Sequence, residues 1–335
     1  MKNHLLITGA LATAALSVLA PSDSLAQSRN KNFLPYSTVG LGIGTASYYG
    51  ELSGYRRPLR STFMMMRWNA NLAYTRHFTP RLAARASFTY ARIAGDDYTY
   101  NKGDLNRGIV QYVRNLHFRN DLKEFALTGI YQFRPDGRNT NYRVKFSPYI
   151  FAGLALVAHS PEAKTPVGYT PPGGQGDQPQ NWVKLQPLGT EGQGQPGAPK
   201  QYSLVTIAVP VGFGVRYKLN DRFDLGAEVG LRLTTTDYLD DVGGPTPPDP
   251  SVLKDDLSRA MSDRSLEPVA ARKGGDRRQQ LTDYLNGQDP FASNGAALPG
   301  IDARGSSDFP KDGYLIGTIQ LRYVLLPKIK CPPVK

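Results

Sequence analysis

The chain has 335 residues, with 40 Lys and Arg against 28 Asp and Glu, a formal charge of +12. Its 34 Gly and 26 Pro lack the strict three-residue period of collagen, and its 19 Tyr and 13 Phe exclude wholesale disorder. A single Cys excludes an internal disulfide framework and a Cys-rich metal site.

Residues 1–26 read as an export signal. Met1 to His4 is a short basic start, Leu5 to Ala20 is apolar, and Ser24-Leu25-Ala26 places small residues two apart for signal peptidase. An N-terminal anchor is the competing reading; it is weaker because a helical span needs about 20 apolar residues. No Cys follows the cleavage pattern, which argues against a lipid anchor. Cleavage removes Lys2 and Asp23 and leaves the charge at +12. No later stretch has 18 consecutive apolar residues, so the mature chain carries no helical span.

After an N-terminal segment at 27–37, the chain alternates between apolar and polar residues. Eight segments show this period of two: 38–50, 63–78, 81–95, 119–134, 143–159, 202–218, 222–236 and 313–326. The clearest is the seventh, where Phe223, Leu225, Ala227, Val229, Leu231 and Leu233 oppose Arg222, Asp224, Gly226, Glu228, Gly230 and Arg232. In the second, Met64, Met66, Trp68, Ala70, Leu72 and Tyr74 share one face. The connecting links alternate as well. Those after segments two, four and six are short; those at about 51–62, 96–118, 160–201 and 237–312 are long. All long loops therefore lie at one end. The pattern predicts an all-β fold: an eight-stranded antiparallel transmembrane β-barrel over 38–326, with short periplasmic turns, long extracellular loops and a periplasmic tail at 327–335.

A soluble lipocalin-type barrel is the structural rival, since alternation alone does not say which face is outside. The polar face carries Arg67, Arg85, Arg216, Arg232 and Arg322, whereas a soluble ligand-holding barrel wants an apolar interior. Tyr48, Tyr49, Tyr74, Phe78, Tyr90, Tyr131, Phe133, Tyr217 and Tyr323 fall near segment ends, as interfacial girdles do. Both features favour the membrane barrel, with outer-membrane lipid and lipopolysaccharide as its surroundings.

Glu124, Asp224 and Glu228 face the same way as Arg67, Arg81, Arg85, Lys145, Arg216, Arg232 and Arg322. An eight-stranded interior is just wide enough for side chains to fill, and buried charges must pair. A plugged, ion-paired lumen is expected; a narrow anion pore is the alternative.

The long loops differ in composition. Residues 160–201 are rich in Gly and Pro and read as irregular and mobile. Two short helices are expected around Ser251–Asp263 and Gly275–Asn286, with Leu253, Leu257 and Met261 on one face. Solvated loop helices are favoured over a cap across the barrel mouth. Arg264, Arg272, Lys273, Arg277 and Arg278 are read as solvating the loop, with attraction to anionic lipopolysaccharide for some. Nucleic acid is not an expected partner outside the cell.

Nothing in the sequence points to catalysis. His77, His117 and His159 sit in no metal or nucleophile motif, and His77 and His159 are expected at the surface of strand ends. There is no phosphate loop, dinucleotide fingerprint or zinc spacing. No cofactor and no small-molecule substrate is expected. Asp96-Asp97 and Asp237, Asp240 and Asp241 are dense enough to hold Ca²⁺, but a solvated rim, or pairing with Arg and backbone donors, is the favoured reading.

Several stretches, in order, resemble the PorG-like family of small outer-membrane barrels associated with the type IX secretion apparatus of Gram-negative bacteria. They are Ser47-Tyr48-Tyr49-Gly50-Glu51-Leu52; Ile93-Ala94-Gly95-Asp96-Asp97; Arg114-Asn115-Leu116-His117-Phe118-Arg119-Asn120-Asp121; Pro148 to Gly153; Leu185 to Gly194, which contains Gly189-Thr190-Glu191-Gly192; and Thr236-Asp237-Tyr238-Leu239-Asp240-Asp241-Val242. Residues 243–312 carry no matching motif. The resemblance implies a non-catalytic part in protein secretion, with proteins of the periplasmic secretion ring as partners. The basic tails, 27–36 and 327–335, are the expected docking elements; Cys331 on the second is either a free thiol or a cross-linking point.

Overall fold

The computed structural model describes residues 33–55, 57–170, 174, 179–305 and 311–325. The expected export signal, most of the N-terminal segment, the C-terminal tail and Cys331 lie outside the described residues. No described helix is long and apolar enough to cross a membrane.

The alternating segments form strands β1 (Tyr36–Tyr49), β2 (Arg67–His77), β3 (Leu82–Asp96), β4 (His117–Gln132) and β5 (Phe146–Ala158). After two short strands, β6 (Pro161–Lys164) and β7 (Trp182–Lys184), come β8 (Val205–Lys218), β9 (Phe223–Thr234) and β10 (Gly313–Leu325). Each long strand pairs antiparallel with its neighbours, and β1 pairs with both β2 and β10. Because β3 also pairs with β4, the eight long strands close on themselves and leave no free edge in the cylinder. The pair β6–β7 is a hairpin that extends β4 beyond the wall.

The direction of alternation separates the membrane barrel from its soluble rival. Along β4, Phe125 and Leu127 face outward while Glu124, Thr128 and Gln132 are buried inside. Outward-facing Leu41, Ile43, Phe213 and Ile319 are more than 60% exposed, at 67, 73, 62 and 62%. In water such a continuous apolar belt would forfeit about 25 cal/mol for every Å² left unburied. Against acyl chains it is the expected outer surface, and a polar interior is the matching inner one.

Trp68, Phe78, Tyr131, Phe133, Tyr217 and Tyr323 are exposed on this outer surface. Tyr48 and Tyr49 depart from the expected girdle: both are buried, Tyr48 because it turns inward at the mouth and Tyr49 because Tyr55 and Thr62 cover it. The second strand starts at Arg67 rather than at 63, since Pro58–Met64 forms helix α1, with Pro in its first turn.

The link between β8 and β9 is tight: Asn220 Oδ1 accepts from the backbone N–H groups of Arg222 and Phe223 at 2.8 and 2.9 Å. The link between β4 and β5 is longer than the alternation indicates and folds back under the barrel, with Asp136 and Arg143 buried.

At the other end, the long loops build an ordered headpiece. The link after β3 carries helices α2 (Asp97–Asn101) and α3 (Leu105–Arg114), and the last loop carries α4 (Asp256–Ser262) and α5 (Arg278–Tyr284). One apolar cluster runs from the barrel mouth into the loops through Leu52, Leu116, Phe118, Leu185, Leu239 and Met261. A second joins Tyr112 and Val113 to Leu281 and Leu298. The expectation of an irregular 160–201 segment is therefore corrected for its described part, where the β6–β7 hairpin forms and Leu185 and Thr190 are buried. The expectation of solvated loop helices is corrected too, since Met261 and Leu281 on them are buried; of the basic residues expected to solvate the loop, Arg264 and Arg277 are buried while Lys273 and Arg278 are exposed.

Candidate functional site

Two charged regions occupy the axis of the molecule. The lower one fills the lumen. At its periplasmic end Arg216 grips Asp136 through two hydrogen bonds of 2.5 and 2.8 Å, and the Tyr36 hydroxyl donates to the same carboxylate at 2.8 Å. Arg143 pairs with Asp224 at 3.0 Å and donates to the carbonyl of Asn220. In the middle, Glu228 accepts from Tyr149 and Arg322, each at 2.5 Å, and from Arg85. Above it, Glu124 accepts from Arg232 at 3.2 Å and from the Tyr314 hydroxyl at 2.6 Å. A Cβ at Gly226 would sit 2.9 Å from the Arg322 guanidinium, so the bare wall there makes room for this packing.

Among the described residues, five guanidinium groups (Arg85, Arg143, Arg216, Arg232, Arg322) thus meet four carboxylates (Glu124, Asp136, Asp224, Glu228). Three expected members fall outside the ladder. Arg67 lies at the mouth end of β2 and donates to the Met66 carbonyl. Arg81 sits exposed in a turn, and Lys145 is exposed beside β5. Asp136 and Arg143 were missed because they lie in the β4–β5 link, where no alternation marks them. His77 and His159 are buried, not at the surface: His77 stacks on Tyr36 at 4.3 Å and His159 on Tyr202 at 6.2 Å.

The upper region is the mouth, where most of the motif residues gather. Asp97 takes Arg114 in a bidentate pair, both contacts 2.8 Å, and Arg114 also donates to the Glu51 carbonyl at 3.1 Å. Asp96 caps helix α2 by accepting from the Thr99 backbone N–H and also accepts from the Thr99 hydroxyl. Asn115 ends α3 in the left-handed conformation and bonds the backbone of Arg264, Val269 and Ala271, tying the third loop to the last. At Gly95 a Cβ would lie 2.6 Å from both Leu52 and Phe118, so only Gly lets these side chains meet. Tyr49 bonds Thr62 of α1, and Gly50 turns the chain back toward Ser53.

The 185–194 stretch contributes through backbone shape and side chain alike. Gly189 and Gly192 hold positive φ of 62° and 81°. Between them Thr190 donates to Asp241, and Glu191 accepts from Arg304 at 3.0 Å and from the backbone of Gly243 and Gly244. Tyr238 stacks on Tyr202 with ring centres 4.5 Å apart. Arg304 belongs to the region without motifs, and no sequence signal singles it out. The favoured pairing of the acidic residues with Arg and backbone donors describes Asp96, Asp97 and Asp241.

Four carboxylates share the closing seam of the barrel: Glu51 after β1, Asp237 and Asp240 after β9, and Asp312 before β10. The Tyr48 hydroxyl lies 2.7 Å from Asp240 Oδ2 and 2.6 Å from Asp312 Oδ1, one proton between two acceptors. Burial, reinforced by neighbouring carboxylates, holds Asp240 and Asp312 well above the usual carboxyl range, and burial pushes Glu51 up to about 7. Burial raises Asp241 to about 6 despite Arg304 beside it, and lowers His159 to about 4.

Closed strand pairing, an apolar outer belt and a charged interior define a small β-barrel of outer-membrane type, its belt facing lipid. No family model and no curated protein matches the sequence. Solved structures similar in outline include Neisserial surface protein A (10% identity, 86% of this chain and 96% of that one, TM-score 0.34). Ail of Yersinia pestis is similar at 9% identity, over 87% of this chain and 98% of that one, TM-score 0.32. The N-terminal barrel domain of Pseudomonas aeruginosa OprF is similar at 8% identity, over 87% of this chain and 100% of that one, TM-score 0.31. Likenesses this distant say nothing about activity, and the architecture rests on the strand pairing itself.

Proposed function

We propose that this protein is a non-catalytic, non-conducting outer-membrane scaffold that works by holding a protein partner. The observation that carries the reading is the lumen: Glu228 and Glu124 each bridge facing walls through Arg and Tyr, so the axis is occupied by mutually bonded side chains. Such a ladder disfavours the narrow anion pore, because passage would need buried pairs to open at several kcal/mol each. The headpiece supports the same reading, since Asn115 and Arg304 fix the long loops to one another instead of leaving a channel vestibule.

The motif resemblance names the setting: an accessory place in the type IX secretion machinery, with a periplasmic ring protein docking on the turns and basic tails. Affinity purification from solubilised outer membranes tests this. Co-elution of periplasmic ring proteins, lost when residues 328–335 are deleted, supports it. Recovery of the barrel alone under conditions that keep other outer-membrane assemblies intact contradicts it.

A further inference from the structure

We propose that Glu51, Asp237 and Asp312 form a calcium-binding site at the seam where the barrel closes. Each offers a carboxylate oxygen, and these oxygens lie within 4.8 Å of one another. That span is what one ion bridges at a Ca–O distance of about 2.4 Å; Mg²⁺ at about 2.1 Å would draw them tighter. The donors are all hard oxygens, with no His or Cys among them, which selects against zinc.

Crowded carboxylates alone would not make a site. Here two of the oxygens are stranded. Glu51 is 7% exposed, and its Oε2 accepts no hydrogen bond from the protein. Asp237 Oδ1 is likewise buried without a partner, while its Oδ2 takes Lys311 at 3.2 Å. A buried, unpartnered carboxylate oxygen costs several kcal/mol unless a cation or a proton meets it.

Nearby cations do not supply the charge. Arg114 is committed to Asp97 and to two backbone carbonyls, and Lys311 is 60% exposed. Asp240 adds a fourth carboxyl group beside the three, joined to Asp312 through the Tyr48 hydroxyl. Asp312 already accepts from Tyr48 and the Leu239 N–H, and its remaining lone pairs stay free for an ion. Asp237 is only partly buried, which leaves a route from the medium. An ion here would tie the turn after β1, the loop after β9 and the start of β10 together, where Tyr49 pairs with Gly313.

Terbium luminescence on the folded barrel in detergent micelles tests the site, with Tyr48 and Tyr55 as nearby sensitisers. Saturable Tb³⁺ emission is expected, displaced by Ca²⁺ at about 10⁻⁵ to 10⁻³ M and by Mg²⁺ at roughly tenfold higher concentration. The double variant Glu51→Gln/Asp237→Asn should weaken Ca²⁺ displacement by about 30-fold or more, Asp237→Asn alone by about tenfold, and the exposed Asp302→Asn not at all. Absence of saturable binding by the wild type overturns the proposal. So does unchanged affinity in Asp237→Asn, whose part-exposed position makes misfolding a minor concern and whose strand content circular dichroism checks.

Discussion

The lumen and the mouth are both packed with buried charge, yet they are balanced in opposite ways. In the lumen every carboxylate meets a guanidinium, and Tyr hydroxyls add bonds to Asp136, Glu228 and Glu124; among the described lumen carboxylate oxygens, Asp224 Oδ2 alone is buried without a hydrogen bond. At the seam of the mouth, Glu51, Asp237, Asp240 and Asp312 face one another with Lys311 as the one direct ion partner among the described residues. Lumen charges are therefore held by each other, whereas the seam depends on protons or an external cation. Identical chemistry, removal of one carboxylate charge, should have opposite signs in the two places.

The largest expected effect is in the lumen. Glu228→Gln leaves Arg85 and Arg322 without a counter-charge and should cost about 3–5 kcal/mol, read as a lower denaturant midpoint in micelles. A loss under about 1 kcal/mol would show that water or an anion replaces the carboxylate freely.

Next comes His159. Its pKa is about 4 in the fold against 6.5 ordinarily, so the unfolded chain takes up the proton first as pH falls. Its contribution is complete above pH 6.5 and is lost toward pH 4, about 3 kcal/mol at full development. The stability difference between wild type and His159→Gln should shrink over that window; a flat difference would mean the ring is reached by solvent.

The smallest effect carries the contrast of sign. In chelator at pH 8, Asp240→Asn should be neutral or stabilising by about 1 kcal/mol, because it relieves repulsion with Asp312. Destabilisation as large as that of Glu228→Gln would erase the distinction between the two regions.

The barrel was legible in the sequence because a period of two is a property of the backbone: Phe223 to Leu233 could not alternate for any other purpose. The ion-paired lumen followed for the residues on strands, such as Arg216 and Glu228. It failed for Asp136 and Arg143, which arrive from a turn that folds back, for Arg67, which sits at the mouth end of its strand, and for Arg81 and Lys145, which lie just outside their strands and reach the outward-facing Tyr131 and Tyr217. The headpiece was less legible. Its order comes from contacts between loops far apart in sequence, such as Asn115 with Val269 and Thr190 with Asp241, and a Gly- and Pro-rich composition hides positions that need positive φ. Asp312 follows no motif, so the seam cluster emerges only when β10 closes against β1.

The central claim is that interlocked side chains seal the barrel, and single-channel recording in a planar bilayer tests it most directly. Purified wild-type protein should insert without stable conductance across the physiological voltage range. A steady, ohmic, anion-selective current from the wild type would contradict the sealed lumen.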